Sequence, residues 1–122
     1  MTDFDLKVAE ALKGRTELVS LLGDGEFGIY NTYCDFKGLF PLVIFRKRNQ
    51  NPVLHADNKL YGYSVSYLVV VCSKDREAVD VADEARTAME DAGFMWSSTD
   101  TEYNEEFHEF YTIMSFRIGE KV

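Results

Sequence analysis

A strict alternation of side chains marks one segment of the chain as a β-strand. Between Tyr61 and Cys72, every second residue lies on one face, and these residues are Tyr61, Tyr63, Val65, Tyr67, Val69 and Val71. Successive side chains of a strand point to opposite faces of a sheet, so this period of two predicts a strand. Its first half is half-exposed, and its second half is apolar on both faces.

Helical spacing predicts two main helices. Near the start, apolar residues recur at intervals of about a turn from Leu6 to Leu12, after the capping residue Asp3 and before Gly14. A second short helical piece follows Thr16. The clearest helix spans Asp75–Gly93, with Ser73 or Asp75 as its cap, and its apolar stripe comprises Ala78, Ala82, Ala85, Met89 and Ala92, broadened by Val79, Val81 and Ala88. Such small residues predict that this helix lies close against a sheet.

The remaining apolar segments predict further strands. They are Phe27–Phe36, the buried Leu42–Phe45, an irregular return over Val53–Leu60, Phe94–Ser98 and Phe107–Ile118. We interpret Arg46–Pro52 as the tip of a long hairpin or as a loop that becomes ordered on binding, because it is polar, basic and rich in turn-forming residues. The acidic segment Thr99–Glu106 is expected to connect the last two strands.

This order of elements predicts an α+β fold with a single mainly antiparallel β-sheet. We expect a covering helix, an N-terminal helix and a protruding hairpin or loop arm. The chain has 122 residues, which predicts a single domain over residues 1–122. Apolar residues make up 46% and charged residues 28%, which excludes a disordered or collagen-like chain.

The net charge limits the classes of partner. Thirteen lysines and arginines against 21 aspartates and glutamates give −8 at pH 7. A surface this acidic repels phosphates, so DNA or an anionic membrane is not expected as the main ligand. A local basic patch is the exception, because it attracts phosphates in spite of the negative net charge. The two cysteines, Cys34 and Cys72, are too few for a disulfide scaffold. No signal peptide or membrane-spanning stretch is evident, which favours a reducing cytoplasm.

Catalytic, cofactor and metal motifs are weak. Gly23–Gly28 has the letters of a dinucleotide-binding loop, but it follows a helical pattern, precedes a strand and carries two carboxylates, so a plain turn is favoured. His55 and His108 have no ligand at metal-site spacing and are interpreted as surface or loop residues. We therefore predict no enzyme activity, no cofactor and no metal requirement.

Two charged clusters are the candidate interface. Five carboxylates lie within ten residues, namely Asp100, Glu102, Glu105, Glu106 and Glu109. A solvated loop, a basic partner and a metal ion are the alternatives for them. Arg46, Lys47 and Arg48 form the basic run, either as a solubilising tip or as a contact. In a ring of identical subunits, the basic run of one subunit could meet the acidic cluster of the next.

The order of elements resembles a known family. The resemblance covers most of the chain, and it rests on Phe4–Leu12, Leu22–Asp24, Tyr63–Val71, Asp75–Gly93 and Tyr111–Ile118. It is to the tail terminator, or tail completion, proteins of long-tailed bacteriophages and prophages, which are also known as minor tail or head–tail joining proteins. Arg46–Leu60 matches this family least.

The resemblance implies a structural role in virion assembly. Such proteins form a homo-oligomeric ring, usually a hexamer, on the head-proximal end of the phage tail tube. The ring ends polymerisation of the tube protein and presents a surface to the head–tail connector protein. DNA passes through its channel without specific binding, which an acidic lining favours. The implied location is the virion tail, and the host bacterial cytoplasm during assembly.

Three alternatives remain open at this point. A head-completion or connector-adaptor protein would bind a different partner but would have the same physical properties. A small ligand-binding or enzymatic domain would need a concave pocket with convergent polar groups. An acidic decoy that inhibits a nucleic-acid enzyme would use the same charge as a monomer or dimer. Oligomeric state distinguishes these classes best.

Overall fold

The N-terminal helix begins at the capping residue that the sequence predicts. Asp3 accepts a hydrogen bond of 3.2 Å from the backbone N–H of Leu6, and helix α1 spans Phe4–Lys13. This computed structural model describes residues 3–32, 39–54, 60–74 and 76–121 of the chain. A short helix, α2 (Thr16–Val19), follows, and then a 3₁₀ turn over Gly25–Gly28. None of the helices within these ranges is long and apolar enough to cross a membrane.

Five strands form one sheet. They are β1 (Ile29–Asn31), β2 (Leu42–Leu54), β3 (Leu60–Lys74), β4 (Met95–Asn104) and β5 (Glu109–Lys121), in the spatial order β1-β2-β3-β5-β4. Only β1 and β2 are parallel, and the other three pairs are antiparallel. The predicted α+β class with a mainly antiparallel sheet is confirmed. The closing antiparallel hairpin of β4 and β5 is also confirmed.

The third helix packs its alanine stripe as predicted, but it begins later. Helix α3 spans Val79–Asp91, and its N-cap residue, Ala78, makes no side-chain capping bond. The prediction that Ser73 caps it is wrong, because the Ser73 hydroxyl donates to the backbone carbonyl of Arg76 instead. Asp75 lies outside the described residues. Val79 is 56% exposed and does not broaden the stripe. Ala82, Ala85 and Met89 are buried.

One face of the sheet holds the core. The alternating face of β3 contributes Val65, Tyr67, Val69 and Val71, all without exposed surface, and they pack with buried residues of the three helices. Tyr67 packs edge-to-face on Phe94 and donates its hydroxyl proton to the Asp5 carboxylate of α1. Burial, assisted by Asp5, raises the pKa of Tyr67 well above its usual value. This pair therefore fixes α1 on the sheet.

The other face of the sheet is the open face, because no described helix covers it. Cross-strand partners share a face, so Ile44 of β2, Val70 of β3 and Ile113 of β5 lie on it in one row. All three are half-buried. Cys72 is buried at the adjacent row, whereas Cys34 and His55 lie outside the described residues.

Three strand predictions require correction. β1 begins at Ile29, because Phe27 belongs to the 3₁₀ turn; residues 33–36 lie outside the described chain. β2 does not end at Phe45 but continues to Leu54, since β3 supplies hydrogen-bonding partners along its polar half. Similarly, Thr99–Asn104 is not a connection, because it completes β4 against β5.

Candidate assembly interface

The basic run lies within a strand rather than at a hairpin tip. Arg46 and Lys47 of β2 pair with Leu68 and Tyr67 of β3, and the register shifts at Arg48 before pairing resumes at Asn49. Arg48 is therefore the extra residue of a β-bulge. Arg46, Lys47 and Arg48 are all exposed. We call these three residues the basic segment.

The acidic cluster divides into three parts. Asp100 and Glu102 are exposed residues of β4, and we call them the acidic pair. Glu105 and Glu106 are exposed in the turn between β4 and β5. Glu109 begins β5, is only 3% exposed and accepts a hydrogen bond from the Tyr111 hydroxyl. Because a neighbouring molecule cannot reach a buried carboxylate, Glu109 is excluded from the interface.

The structure places the basic segment and the acidic pair on different strands, near the two opposite edges of one sheet. β3 and β5 lie between β2 and β4. Three strand spacings separate the two groups by roughly 14 Å, which is too far for an ion pair within one chain. Any contact between these two groups must therefore form between different molecules.

Both groups lack charged partners among the described residues. In the described part of the protein, neither the basic segment nor the acidic pair makes an ion pair or a side-chain hydrogen bond. Two other arginines are paired. The Arg15 Nε lies 2.8 Å from a Glu84 carboxylate oxygen, and that contact raises the pKa of Arg15. Arg86 contacts Glu90 at 3.1 Å and stacks over the Trp96 ring at 4.0 Å.

Arg46, Asp100 and Glu102 also share a face of the sheet, whereas Lys47, opposite Tyr67, lies on the other face. Arg46 lies in one row with Leu68 and Ser115, and Asp100 lies in the next row of the same face, opposite Ile113. Both rows belong to the open face. Arg117, an exposed residue of β5, lies on this face too and was missed by the sequence analysis. The sequence contained the signal for Arg117. This residue lies between the buried Phe116 and the half-buried Ile118, so its side chain lies on the opposite face of the strand.

The remaining candidates that the structure describes include a glycine turn and His108. Gly25 has a left-handed φ of 59° within Gly23–Gly28, which agrees with the predicted turn. His108 sits in the β4–β5 turn with its Nδ1 atom 3.1 Å from the Tyr103 hydroxyl. Across the described ranges, no three His, Cys, Asp or Glu side chains are placed to hold a metal ion. That the chain has no enzyme activity stays a prediction.

A cleft of about 540 Å³ lies at one end of α3. It is open to solvent and is lined by residues of β3, of α3 and of the segments that follow α2 and β3, including Lys74 and Arg76. The Lys74 ammonium lies 5.2 Å from the centre of the Phe40 ring, so it already makes a cation–π contact within the chain. Asp80 lines the same cleft. These mixed charges do not converge on one ligand chemistry.

Comparison with known proteins relates this fold to a chain of a gene transfer agent particle. A chain of a solved structure described as "Virion of native gene transfer agent (GTA) particle" superimposes with a TM-score of 0.64. The two sequences are 14% identical, and the match covers 94% of this chain and 92% of that chain. No protein-family model matches the sequence, and no curated protein matches it. The chain therefore shares the fold of a chain of this gene transfer agent virion.

Proposed function

We propose that this chain is a virion structural protein that forms a ring on the head-proximal end of a phage tail tube. The ring ends polymerisation of the tube and presents its other side to the head–tail connector. The match to a chain of the gene transfer agent virion supports a place in such a particle, because it spans almost the whole of both chains. The position of the chain at the end of the tail tube belongs to the proposal alone.

The observation that carries ring formation is the opposite charge of two sides of one sheet. The basic segment and the acidic pair lie too far apart to meet within a subunit, and both are exposed without charged partners in the described ranges. A contact between two different surfaces of identical subunits is head-to-tail, and it closes into a ring when the rotation closes. A hexamer is the proposed closure.

The net charge of −8 suits a channel for DNA. Around a ring, carboxylates repeat with every subunit and repel the phosphates of a passing duplex. DNA then moves through without binding at a specific site. The acidic turn residues Glu105 and Glu106 add to this field.

Removing the basic segment should weaken the ring without unfolding the subunit. In the variant Arg46→Ser, Lys47→Ser, Arg48→Ser, the exposed side chains contribute nothing to the core, so the melting temperature should change little. Each exposed ion pair is worth about 0–1 kcal/mol, but the contact repeats at every interface of the ring. Light scattering after size-exclusion chromatography should show a shift from ring to monomer, and tail tubes should lengthen past their normal end.

The control removes the same charge elsewhere. Lys7→Ser, Lys13→Ser, Arg76→Ser also deletes three cations, but none of them belongs to either edge of the sheet. This control should assemble like the parent chain. Raised salt should reproduce the effect of the first variant in the parent, because salt screens exposed charges. If the basic-segment variant assembles and ends tubes like the parent at every salt concentration, the segment is only a solubilising surface.

A further inference from the structure

We propose that neighbouring copies join by antiparallel main-chain pairing between β4 of one copy and Arg46–Asn49 of β2 of the next. The sheet would then continue from subunit to subunit, with side-chain charge selecting the correct edges. This inference rests on the proposed ring and specifies how its subunits bind one another. The partner is a second copy of this chain.

Two strand edges are available for such pairing. β4 is the last strand of the sheet, so its outer edge has no partner strand among the described residues. β2 has β1 beside it only over Val43–Phe45, where the Thr32 N–H also donates to the Phe45 carbonyl. Thr32 has a left-handed φ of 72°, which ends the strand path of β1. Among the described residues, no strand therefore lies along the outer edge of β2 over Arg46–Asn49.

The strand directions favour an antiparallel joint. β2 and β5 run in one direction, and β3 and β4 run in the other. When copies are related by rotation about an axis along the strands, β4 of one copy lies beside β2 of the next with opposite direction. Antiparallel pairs form without strain and are slightly more stable per residue than parallel ones. The alternation of strand direction therefore continues across the joint.

The side chains are compatible with the same joint. Residues that face each other across paired strands lie on one face of the sheet. Arg46, Asp100 and Glu102 all lie on the open face. If Arg46 is placed opposite Glu102 of the neighbour, Lys47 faces Thr101 and Arg48 falls beside Asp100. One register thus brings both carboxylates of the acidic pair to the basic segment.

Charge also disfavours the wrong joints. Pairing two β2 edges would place one basic segment against another, and pairing two β4 edges would place one acidic pair against another. Like charges directly opposite each other destabilise a strand pair. Repulsion of this kind discriminates between partners as effectively as attraction does. The two edges therefore resist self-pairing and accept each other, which is the condition for head-to-tail growth.

Charge exchange tests the choice of edges. One variant, Arg46→Glu, Lys47→Glu, Arg48→Glu, makes both edges acidic, and a second, Asp100→Lys, Glu102→Lys, makes both edges basic. Each should fold, as judged by circular dichroism and melting, and each alone should be monomeric. An equimolar mixture should restore the ring with alternating subunits, and so should one chain that carries all five changes. Folded variants whose mixture stays monomeric, or variants that assemble alone, would overturn the assignment of edges.

Cross-linking tests the main-chain joint separately. A chain with Lys47→Cys and Thr101→Cys should form intermolecular disulfides under mild oxidation, because the proposed register places these residues opposite each other. A matched chain with Lys47→Cys and Thr99→Cys should not, since the same face is used but the distance is too great. The unchanged chain identifies any bands that arise from Cys34 or Cys72.

Amides of residues 46–49 and 98–102 should also exchange at least about tenfold more slowly in the ring than in the monomer.

The outcomes separate the joint from the ring. If the parent forms a ring and ends tubes, but neither cross-links at this pair nor protects these amides, strand pairing is wrong and the proposed function stands. If the parent remains monomeric at every concentration and leaves tube length unchanged, both proposals fail. Cross-linking at the expected pair, absent at the control pair, supports the joint.

Discussion

Replacing Ala85 by glutamate should lower the free energy of unfolding by about 3–5 kcal/mol, because it buries an unpaired charge. Ala85 has no exposed surface and lies in the middle of the α3 stripe that packs on the sheet. The added carboxylate must either lose its hydration or force α3 away from β3 and β5. Urea denaturation followed by circular dichroism measures the loss directly.

Val79→Glu is the matched control for this change. It places the same side chain on the same helix, at a residue that is 56% exposed. A carboxylate in the first turn of a helix also interacts favourably with the helix dipole, so stability should change by no more than about 0.5 kcal/mol. A soluble Ala85→Glu protein as stable as the parent would show that the alanine stripe faces water.

Replacing Phe116 by alanine should also cost about 3–5 kcal/mol, because it opens a cavity in the centre of the core. Phe116 has no exposed surface and lies between Tyr67 of β3 and Trp96 of β4 in the sheet register. Phe107→Ala deletes the same side chain from the β4–β5 turn, where Phe107 is 55% exposed, and should leave stability almost unchanged. Equal denaturation midpoints for the two variants would contradict the described core.

The elements that the sequence predicts well are those with one buried face. The alternation in β3 and the alanine stripe of α3 are visible because burial selects apolar residues at a fixed period. The polar half of β2 has no such signal, since its strand conformation depends on pairing with β3. β4 is exposed along most of its length, so an acidic strand was interpreted as a connection.

The candidate interface was predictable in residue type but not in place. Unusual runs of charge identified the basic segment and the acidic residues from the sequence. Their positions at opposite sides of one sheet depend on the strand order, in which β5 inserts between β3 and β4. The burial of Glu109 likewise depends on its neighbours in space. A sequence window contains neither kind of information.

Assembly of the purified parent chain tests the central claim most directly. Native mass spectrometry at low and high salt measures the number of subunits without any partner protein. At low salt we predict a closed ring of six times the 14.0 kDa chain, which dissociates as salt screens the contacts between the edges. A protein that remains monomeric or dimeric over the whole range of concentration and salt would contradict the account.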